Sequence, residues 1–312
     1  MNRSLLVGIA GLASLAHAAE IRSEFATTKD GKRPYLLALP EKTTQQQRPL
    51  VILLHGHSGS AGQILGERSG ASPLSEWLRI ADREGVVVAA LDGAKGPDGF
   101  QGWNDGRVDA PGNPKSDDLA FIRGVIDHAV SSLRVDPRRV YLMGMSNGGM
   151  MTFRAAVELD RPIAAFAAVS SSMPPKLLRE KPRHPVAALI VAGTADPLVP
   201  FYGGQVHFGL RKRGAVVSIP DSVAYWRKVD HAPPNPATRD FPHLERRDPT
   251  SASQIDYGSS VRLIEIQGGG HVEPSIEQRF GRLYLRIVGK QNHDLESAEE
   301  AWKFFSGQKA LP

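Results

Sequence analysis

Short apolar runs bounded by turn residues recur along the chain and predict the strands of a largely buried sheet. They lie at residues 34–40, 49–54, 86–91, 140–143, 164–169, 186–192 and 261–266. Between them, apolar residues recur at helical spacing, at 77–84, 119–127, 220–228 and 299–305. Continuous apolar strands that alternate with helices are typical of a mostly parallel sheet with helices on both faces. The sequence therefore predicts an α/β fold.

The N-terminus has the pattern of a secretory signal peptide. A basic start at Arg3 precedes an apolar run from Leu5 to Leu15 and the small residues Ala16 and Ala18. The run is too short for a membrane span, for which about 20 apolar residues are needed. We predict cleavage after Ala18 and an exported protein, secreted or periplasmic, without a stable membrane anchor.

The remaining chain, 19–312, is predicted to be a single catalytic domain. It has no internal repeat or long low-complexity linker, and only a Pro-, Arg- and Asp-rich segment near 229–258 is expected to be an irregular excursion. The sequence contains no cysteine, which excludes disulfides and a lipoprotein anchor. Stability must therefore come from the core, and 294 residues of mature chain are enough to bury one.

Charge and clustered carboxylates provide little evidence for other partners. The formal net charge is +5, but Lys and Arg are scattered and show no aromatic-interleaved stripe, so nucleic acid is not an expected partner. Asp117 and Asp118 could suggest a metal, yet no further ligands lie at suitable spacing. One of the two is expected to cap the helix that follows. No metal or organic cofactor is predicted.

The pentapeptide Gly144-Met145-Ser146-Asn147-Gly148 stands between a predicted strand and a predicted helix. This context is required for a nucleophile elbow, in which a serine is held at the tip of a strand with strained backbone dihedrals. The two glycines stand where a sharp turn leaves little room for a Cβ. The alternative is a Gly/Ser-rich turn without chemistry.

An aspartate and a histidine follow the serine in the order that α/β-hydrolases use. Asp196 comes after the strand 186–192 in a Gly-Thr turn, and His271 comes after three glycines at the end of the strand 261–266. Three strand-end placements in the order Ser, Asp, His are far more specific than the pentapeptide alone. We predict Ser146, Asp196 and His271 as a catalytic triad in an α/β-hydrolase fold.

Two loops are candidates for the rest of the site. The turn His55-Gly56-His57 follows a central strand, so the backbone N–H groups of His57 and Asn147 are the predicted oxyanion donors. His55 is a candidate substrate-binding residue, with a turn-holding role as the alternative. Trp103, in a Gly-rich loop, is predicted either to stack on a sugar or aromatic acyl group or to anchor its own loop.

At these residues the sequence resembles a known family. Its motifs are His55–Ser60, Gly102–Asp105, Gly144–Met150, Gly193–Pro197 and Gly268–His271. Together they are similar to the exported polyhydroxybutyrate depolymerase and feruloyl esterase group, which is related to carbohydrate esterase family 1. The resemblance implies an α/β-hydrolase fold and carries the triad roles over to Ser146, Asp196 and His271.

The sequence also departs from that family. Members often have a cysteine near His231 and another near Ser259, as though bridged, and both are missing here. A tryptophan often stands two residues after the catalytic histidine, where this chain has Glu273. These differences concern the specificity of the acyl pocket and leave the predicted triad intact.

The predicted function is ester hydrolysis through an acyl-enzyme. Feruloyl or acetyl esters on polysaccharide are the first substrate hypothesis, and a polyhydroxyalkanoate or other polyester is the alternative. In either case the partner is an ester substrate, which can be a polymer. A third hypothesis is an acyltransferase or a non-catalytic carbohydrate-binding protein with the same fold.

Overall fold

The computed structural model describes residues 19–41, 45–68, 70–209 and 211–311. The predicted signal peptide, residues 1–18, lies outside these described residues. The strands are β1 (Glu20–Thr28), β2 (Gly31–Leu39), β3 (Arg48–Leu54), β4 (Val87–Leu91), β5 (Ala94–Lys95), β6 (Gln101–Gly102), β7 (Val135–Met145), β8 (Ala165–Val169), β9 (Ala187–Gly193), β10 (Gly204–Phe208), β11 (Arg211–Val216), β12 (Ala237–Asp240), β13 (Ser251–Tyr257) and β14 (Val261–Gln267).

Ten of these strands form one sheet in the order β1-β2-β4-β3-β7-β8-β9-β14-β13-β12. The six from β4 to β14 in that order run parallel, and antiparallel strands extend the sheet at both edges. The parallel strands are the continuous apolar runs of the sequence, because strands covered on both faces need apolar side chains at nearly every position. The predicted α/β-hydrolase class of fold is confirmed.

The helices are α1 (Ala61–Ile64), α2 (Glu76–Glu84), α3 (Asp118–Ser132), α4 (Asn147–Glu158), α5 (Ile219–Val229), α6 (Arg282–Val288) and α7 (Ser297–Phe305). One core cluster joins the sheet to α3, α4 and α5, and a second joins its opposite face to α2 and α7. Alternate residues of β3 divide between them, with Ile52 in the first and Val51 in the second. Helices therefore cover both faces, as predicted.

The expectation of an irregular excursion near 229–258 is wrong in part. This segment contains β12 and β13, which pair antiparallel with each other, and β13 pairs with β14. All four residues of β12 are exposed, so the strand has no apolar pattern that sequence analysis can detect.

Among the described residues, no helix has the length and apolar character needed to span a membrane.

Candidate active site

Ser146 lies at the sharp turn between β7 and α4. Its backbone has φ 54° and ψ −120°, a left-handed conformation that is strained for any residue with a side chain. The Ser146 N–H donates to Val169 O of the neighbouring strand at 2.9 Å, and the Ser146 carbonyl accepts the N–H of Met150 at 2.9 Å. Hydrogen bonds to both sheet and helix thus hold the strained residue in place.

The glycines of the pentapeptide are required by close backbone contacts. A Cβ on Gly144 would collide with the backbone of Gly148. A Cβ on Gly148 would collide with the carbonyl of Leu54 and lie 2.5 Å from that of His55, at the end of β3. The turn therefore packs directly against the neighbouring strand end, and no larger residue fits at either position.

Ser146, His271 and Asp196 form a continuous chain of hydrogen bonds. His271 Nε2 lies 2.9 Å from Ser146 Oγ, and His271 Nδ1 lies 2.8 Å from Asp196 Oδ2. The other carboxylate oxygen, Asp196 Oδ1, accepts the N–H groups of Leu198 and Val199, each at 2.8 Å. The Asp196 side chain is 3% exposed and that of His271 is 7% exposed, so the hydrogen bond between them is shielded from water.

The backbone N–H groups of His57 and Asn147 remain the candidate oxyanion donors. An added Cβ on Gly56 would lie 3.5 Å from Ser146 Cβ, which puts the turn after β3 beside the serine. Within the described parts of the chain, the N–H groups of His57 and Asn147 have no protein acceptor. Their positions are consistent with the predicted oxyanion hole, which stays a prediction.

The side chain of Asn147 connects the elbow to the Gly-rich loop. Its Oδ1 accepts the Trp103 N–H at 2.7 Å, and its Nδ2 donates to Asp105 Oδ2 at 2.7 Å. Asp105 is in turn paired with Arg107 at 2.7 Å. This buried network fixes the residue whose N–H is a candidate oxyanion donor, and sequence analysis assigned no role to Asp105 or Arg107.

His55 and Trp103 lie beneath the site, packed in the core. Both side chains are fully buried. His55 Nε2 accepts the Gly93 N–H at 2.9 Å, which leaves the proton on Nδ1 to bond Gly56 O at 2.7 Å. Trp103 Nε1 donates to His55 O at 2.8 Å. Burial lowers the pKa of His55 to about 4, so its ring is neutral.

These contacts speak against the substrate-binding expectation for both residues. Neither ring has an exposed face with which to stack on or bind a substrate; His55 is among the residues around the cavity above Ser146, whereas Trp103 is not. The alternatives fit instead: His55 holds its turn, and Trp103 anchors its loop to the end of β3.

A cavity of about 530 Å³ opens above Ser146 and His271. Its walls are mainly apolar. The lining residues include Ile64, Leu74, Val199, Val206, Phe280 and Ile287. Arg213 is the one Lys or Arg, and Glu273 the one Asp or Glu, in the lining that the structure describes. A volume of this size accommodates a small organic ligand, since ligand sites usually span about 300–1,000 Å³.

The side chain of His57 is held by an ion pair at the cavity wall. Arg213 Nη1 donates to His57 Nε2 at 2.8 Å and to Asp98 Oδ2 at 3.1 Å. Burial, followed by the charge of Arg213, lowers the pKa of His57. The His57 ring is therefore anchored, which fixes the backbone N–H beside Ser146.

Comparison with known proteins identifies the family. The sequence model of the family described as Esterase PHB depolymerase matches residues 33–174. A protein of Nocardia uniformis subsp. tsuyamanensis, NocK, whose name places it among the esterases, is 31% identical over 287 residues, covering 86% of this chain and 76% of its own length. The chain belongs to this esterase family. It is a serine-type carboxylic ester hydrolase, as predicted.

Two further proteins, one compared by sequence and one by structure, are similar to this esterase. Feruloyl esterase B of Piromyces equi is 31% identical over 234 residues, which cover 74% of this chain but only 41% of that protein. Among solved structures, the acetyl xylan esterase from Aspergillus awamori superposes with a TM-score of 0.57 at 12% identity, covering 92% of this chain and 99% of that one. The latter likeness shows the shared fold.

The two aspartates at the start of α3, Asp117 and Asp118, have different structural roles in the esterase. Asp117 is the N-cap, and its side chain accepts the Ala120 N–H at 3.1 Å, so a capping aspartate is present as expected. Asp118 is buried and paired with Arg33 at 2.5 Å. In the described ranges, no cluster of His, Cys, Asp or Glu could hold a metal ion.

Proposed function

We propose that the esterase hydrolyses carboxylic esters through an acyl-enzyme, with Ser146 as nucleophile, His271 as base and Asp196 as the residue that orients His271. The observation that carries this proposal is the chain of hydrogen bonds from Ser146 Oγ through the His271 ring to Asp196, at 2.9 Å and 2.8 Å, at the base of the cavity. The same constellation recurs on unrelated folds with the same division of roles.

The proposed mechanism has two steps. Ser146 Oγ attacks the ester carbonyl while its proton moves to His271 Nε2, and the alcohol leaves with that proton. Water then attacks the acyl-enzyme, gives a proton to His271, and the acid is released as the proton returns to Ser146. The N–H groups of His57 and Asn147 would bind the developing oxyanion, and one such donor contributes about 3 kcal/mol.

The substitution Ser146→Ala tests the assignment. We expect kcat on a short p-nitrophenyl ester to fall by about 10⁴-fold or more, because no other group can form the acyl-enzyme. Ser171→Ala is the matched control, since Ser171 Oγ is buried close to the elbow and has no hydrogen-bond partner among the described residues. Undiminished hydrolysis by Ser146→Ala would contradict the proposed nucleophile.

Among substrates, feruloyl or acetyl esters on polysaccharide are our first proposal. The relative from Piromyces equi is a feruloyl esterase by name, and the cavity has the volume for a small aromatic acyl group. Phe100 and Phe208 are half exposed at the cavity wall, where an aromatic ring could stack. Hydrolysis of methyl ferulate and of acetylated xylan tests this proposal.

A polyester is the second candidate because α6 carries exposed apolar side chains beside the cavity. Leu283 is 76% exposed and Ile287 is 56% exposed, and Ile287 also lines the cavity. Exposed apolar patches next to a site often bind an apolar surface. Strong hydrolysis of amorphous polyhydroxybutyrate with none of methyl ferulate would favour this candidate. Capture of the acyl group by an added alcohol in preference to water would instead indicate an acyltransferase.

We further propose that the protein is exported and that residues 19–312 form a single catalytic domain. The support is the basic, apolar and small-residue pattern of residues 1–18 and the single main sheet that joins the first described strand to the last. N-terminal sequencing of the protein recovered from culture medium and periplasm tests both the cleavage site and the compartment.

A further inference from the structure

Glu273 lies in the wall of the cavity above Ser146, two residues after His271. The residue is only 8% exposed, yet it lines the cavity. Its backbone is fixed, because Glu273 O accepts the side-chain N–H of Gln291 at 3.0 Å. The Glu273 side chain therefore extends from the same loop that positions the proposed catalytic histidine.

The carboxyl has no partner from another residue. In the ranges that the structure describes, its only hydrogen bond is with its own backbone N–H, and no Lys or Arg pairs with it. Two other buried acids differ in this respect: Asp105 pairs with Arg107, and Asp118 pairs with Arg33. Buried carboxyl groups are normally paired or hydrogen-bonded, because burial without a partner is costly.

Burial disfavours a charge on Glu273. It raises the pKa of the carboxyl, opposed by its own N–H and by His271. Burial and the nearby Glu273 also raise the pKa of Tyr284 to about 12, so that phenol stays protonated. A carboxyl group accepts hydrogen bonds in either protonation state, and its protonated form also donates one.

We propose that Glu273 is a specificity-determining residue that hydrogen-bonds a hydroxyl group of the substrate, so that the esterase selects hydroxylated esters over esters of equal shape that lack the hydroxyl. This inference rests on the proposed hydrolytic function. A substrate hydroxyl group can donate to a carboxyl oxygen in either protonation state, and it can also accept from the protonated form, whereas a methyl group in that place would leave the carboxyl without a partner.

The test compares substrate pairs in which a hydroxyl is replaced by a methyl group. The pairs are methyl 3-hydroxybutyrate with methyl 3-methylbutyrate, 2-hydroxyethyl acetate with propyl acetate, and methyl 4-hydroxycinnamate with methyl 4-methylcinnamate. They place the hydroxyl in the acyl chain, in the alcohol and on an aromatic ring. For each pair the ratio of kcat/KM values is measured, so that a general loss of activity cancels.

We expect the wild-type enzyme to prefer the hydroxylated member of at least one pair by about 10- to 100-fold. Glu273→Met has nearly the same length without polar oxygens, and should bring that ratio to about one or below. Glu273→Gln keeps a donor and an acceptor, and should retain most of the preference. Glu277→Leu, an exposed acid on the same loop, is the control and should leave the ratio unchanged.

Two results would overturn the inference: a wild-type enzyme without preference in any pair, or a Glu273→Met variant that keeps the preference. If Glu273→Met does not fold, as judged by its melting temperature, Glu273→Ala provides the same ratio. The proposed function fails separately, and the inference with it, if the wild-type enzyme hydrolyses no member of any pair and no p-nitrophenyl ester.

Discussion

The neutral, buried ring of His55 should make the stability of the esterase depend on pH. His55 is fully buried at the end of β3, and its Nε2 accepts the Gly93 N–H at 2.9 Å. A proton on Nε2 would break that hydrogen bond and put a charge in the core. Burial accordingly lowers the pKa of His55 to about 4.

The size of the effect follows from the difference in pKa between the folded and unfolded chain. In the unfolded chain His55 should titrate at about 6.5. As the pH falls below that value, the unfolded state takes up the proton first, and the free energy of unfolding decreases until the pH reaches the folded pKa of about 4. The loss is about 2 kcal/mol at pH 5 and about 3 kcal/mol in full.

The substitution His55→Gln removes the titrating group, and urea unfolding at pH 7.5 and pH 5.0 measures its contribution. At pH 7.5 the variant should be less stable by about 1–3 kcal/mol, because the ring hydrogen bonds are lost. Between the two pH values, however, the wild type should lose about 2 kcal/mol more stability than the variant. His184→Gln, a half-buried histidine outside the site, is the control and should behave like the wild type. If His55→Gln loses as much stability as the wild type on acidification, the ring is not buried in its neutral form.

Three other substitutions test the site and its support. Asp196→Asn should lower kcat on a p-nitrophenyl ester by about 10⁴-fold with little change in KM, because His271 loses its orienting carboxylate; a change of less than tenfold would contradict the role of Asp196. Trp103→Phe removes the N–H that donates to His55 O, so urea unfolding should show a free energy of unfolding lower by about 1 kcal/mol, and KM should change equally for aromatic and aliphatic esters. A rise of KM for the aromatic esters alone would indicate that Trp103 stacks on the substrate. Gly148→Ala must displace the backbone at the end of β3, so the free energy of unfolding, measured with urea, should fall by about 1–3 kcal/mol, and steady-state kinetics should show a reduced kcat. A variant as stable as the wild type would show that the turn can relax.

The central strands could be predicted from the sequence because their environment leaves little choice of residue. Strands such as β4 and β8 are buried at every position, so each appears as an uninterrupted apolar run. The edge strand β1 was not predicted, since most of its residues are at least partly exposed and no apolar pattern marks it. The β10–β11 hairpin was missed for a similar reason: exposed Arg and Lys residues occupy much of β11.

The site could be predicted in part. Ser146, Asp196 and His271 each follow a recognisable strand, and strand ends of a parallel sheet lie along one edge, so sequence order was enough to bring them together. The direction in which a loop side chain points has no such periodic signal. Sequence analysis therefore left open whether Trp103 and His55 contact the substrate or hold their own loops, and the structure buries both rings in the core.

Glu273 shows the same limit of sequence analysis, here for a residue that was given no role in the site. Its departure from the family pattern was visible in the sequence, but its burial in the cavity wall without a partner was not. Whether a carboxyl lacks a partner depends on what the rest of the fold brings near it. For Glu273 that environment includes α6, which sequence analysis did not predict and which contributes Tyr284 and Ile287 to the cavity.

Backbone contacts at the strand ends hold the proposed triad in its geometry. A Cβ on Gly193 would collide with Gly269, and a Cβ on Gly270 would collide with the Val288 carbonyl at the end of α6. The loop that carries His271 is thus packed between the end of β9 and the end of α6, backbone against backbone. Such contacts cannot relax by a change of side-chain rotamer, so they hold His271 against Ser146. Glu273 lies two residues further along this packed loop. The backbone from which its side chain extends is therefore held as firmly as that of the proposed catalytic histidine, which keeps the proposed contact with a substrate hydroxyl group beside the reacting ester.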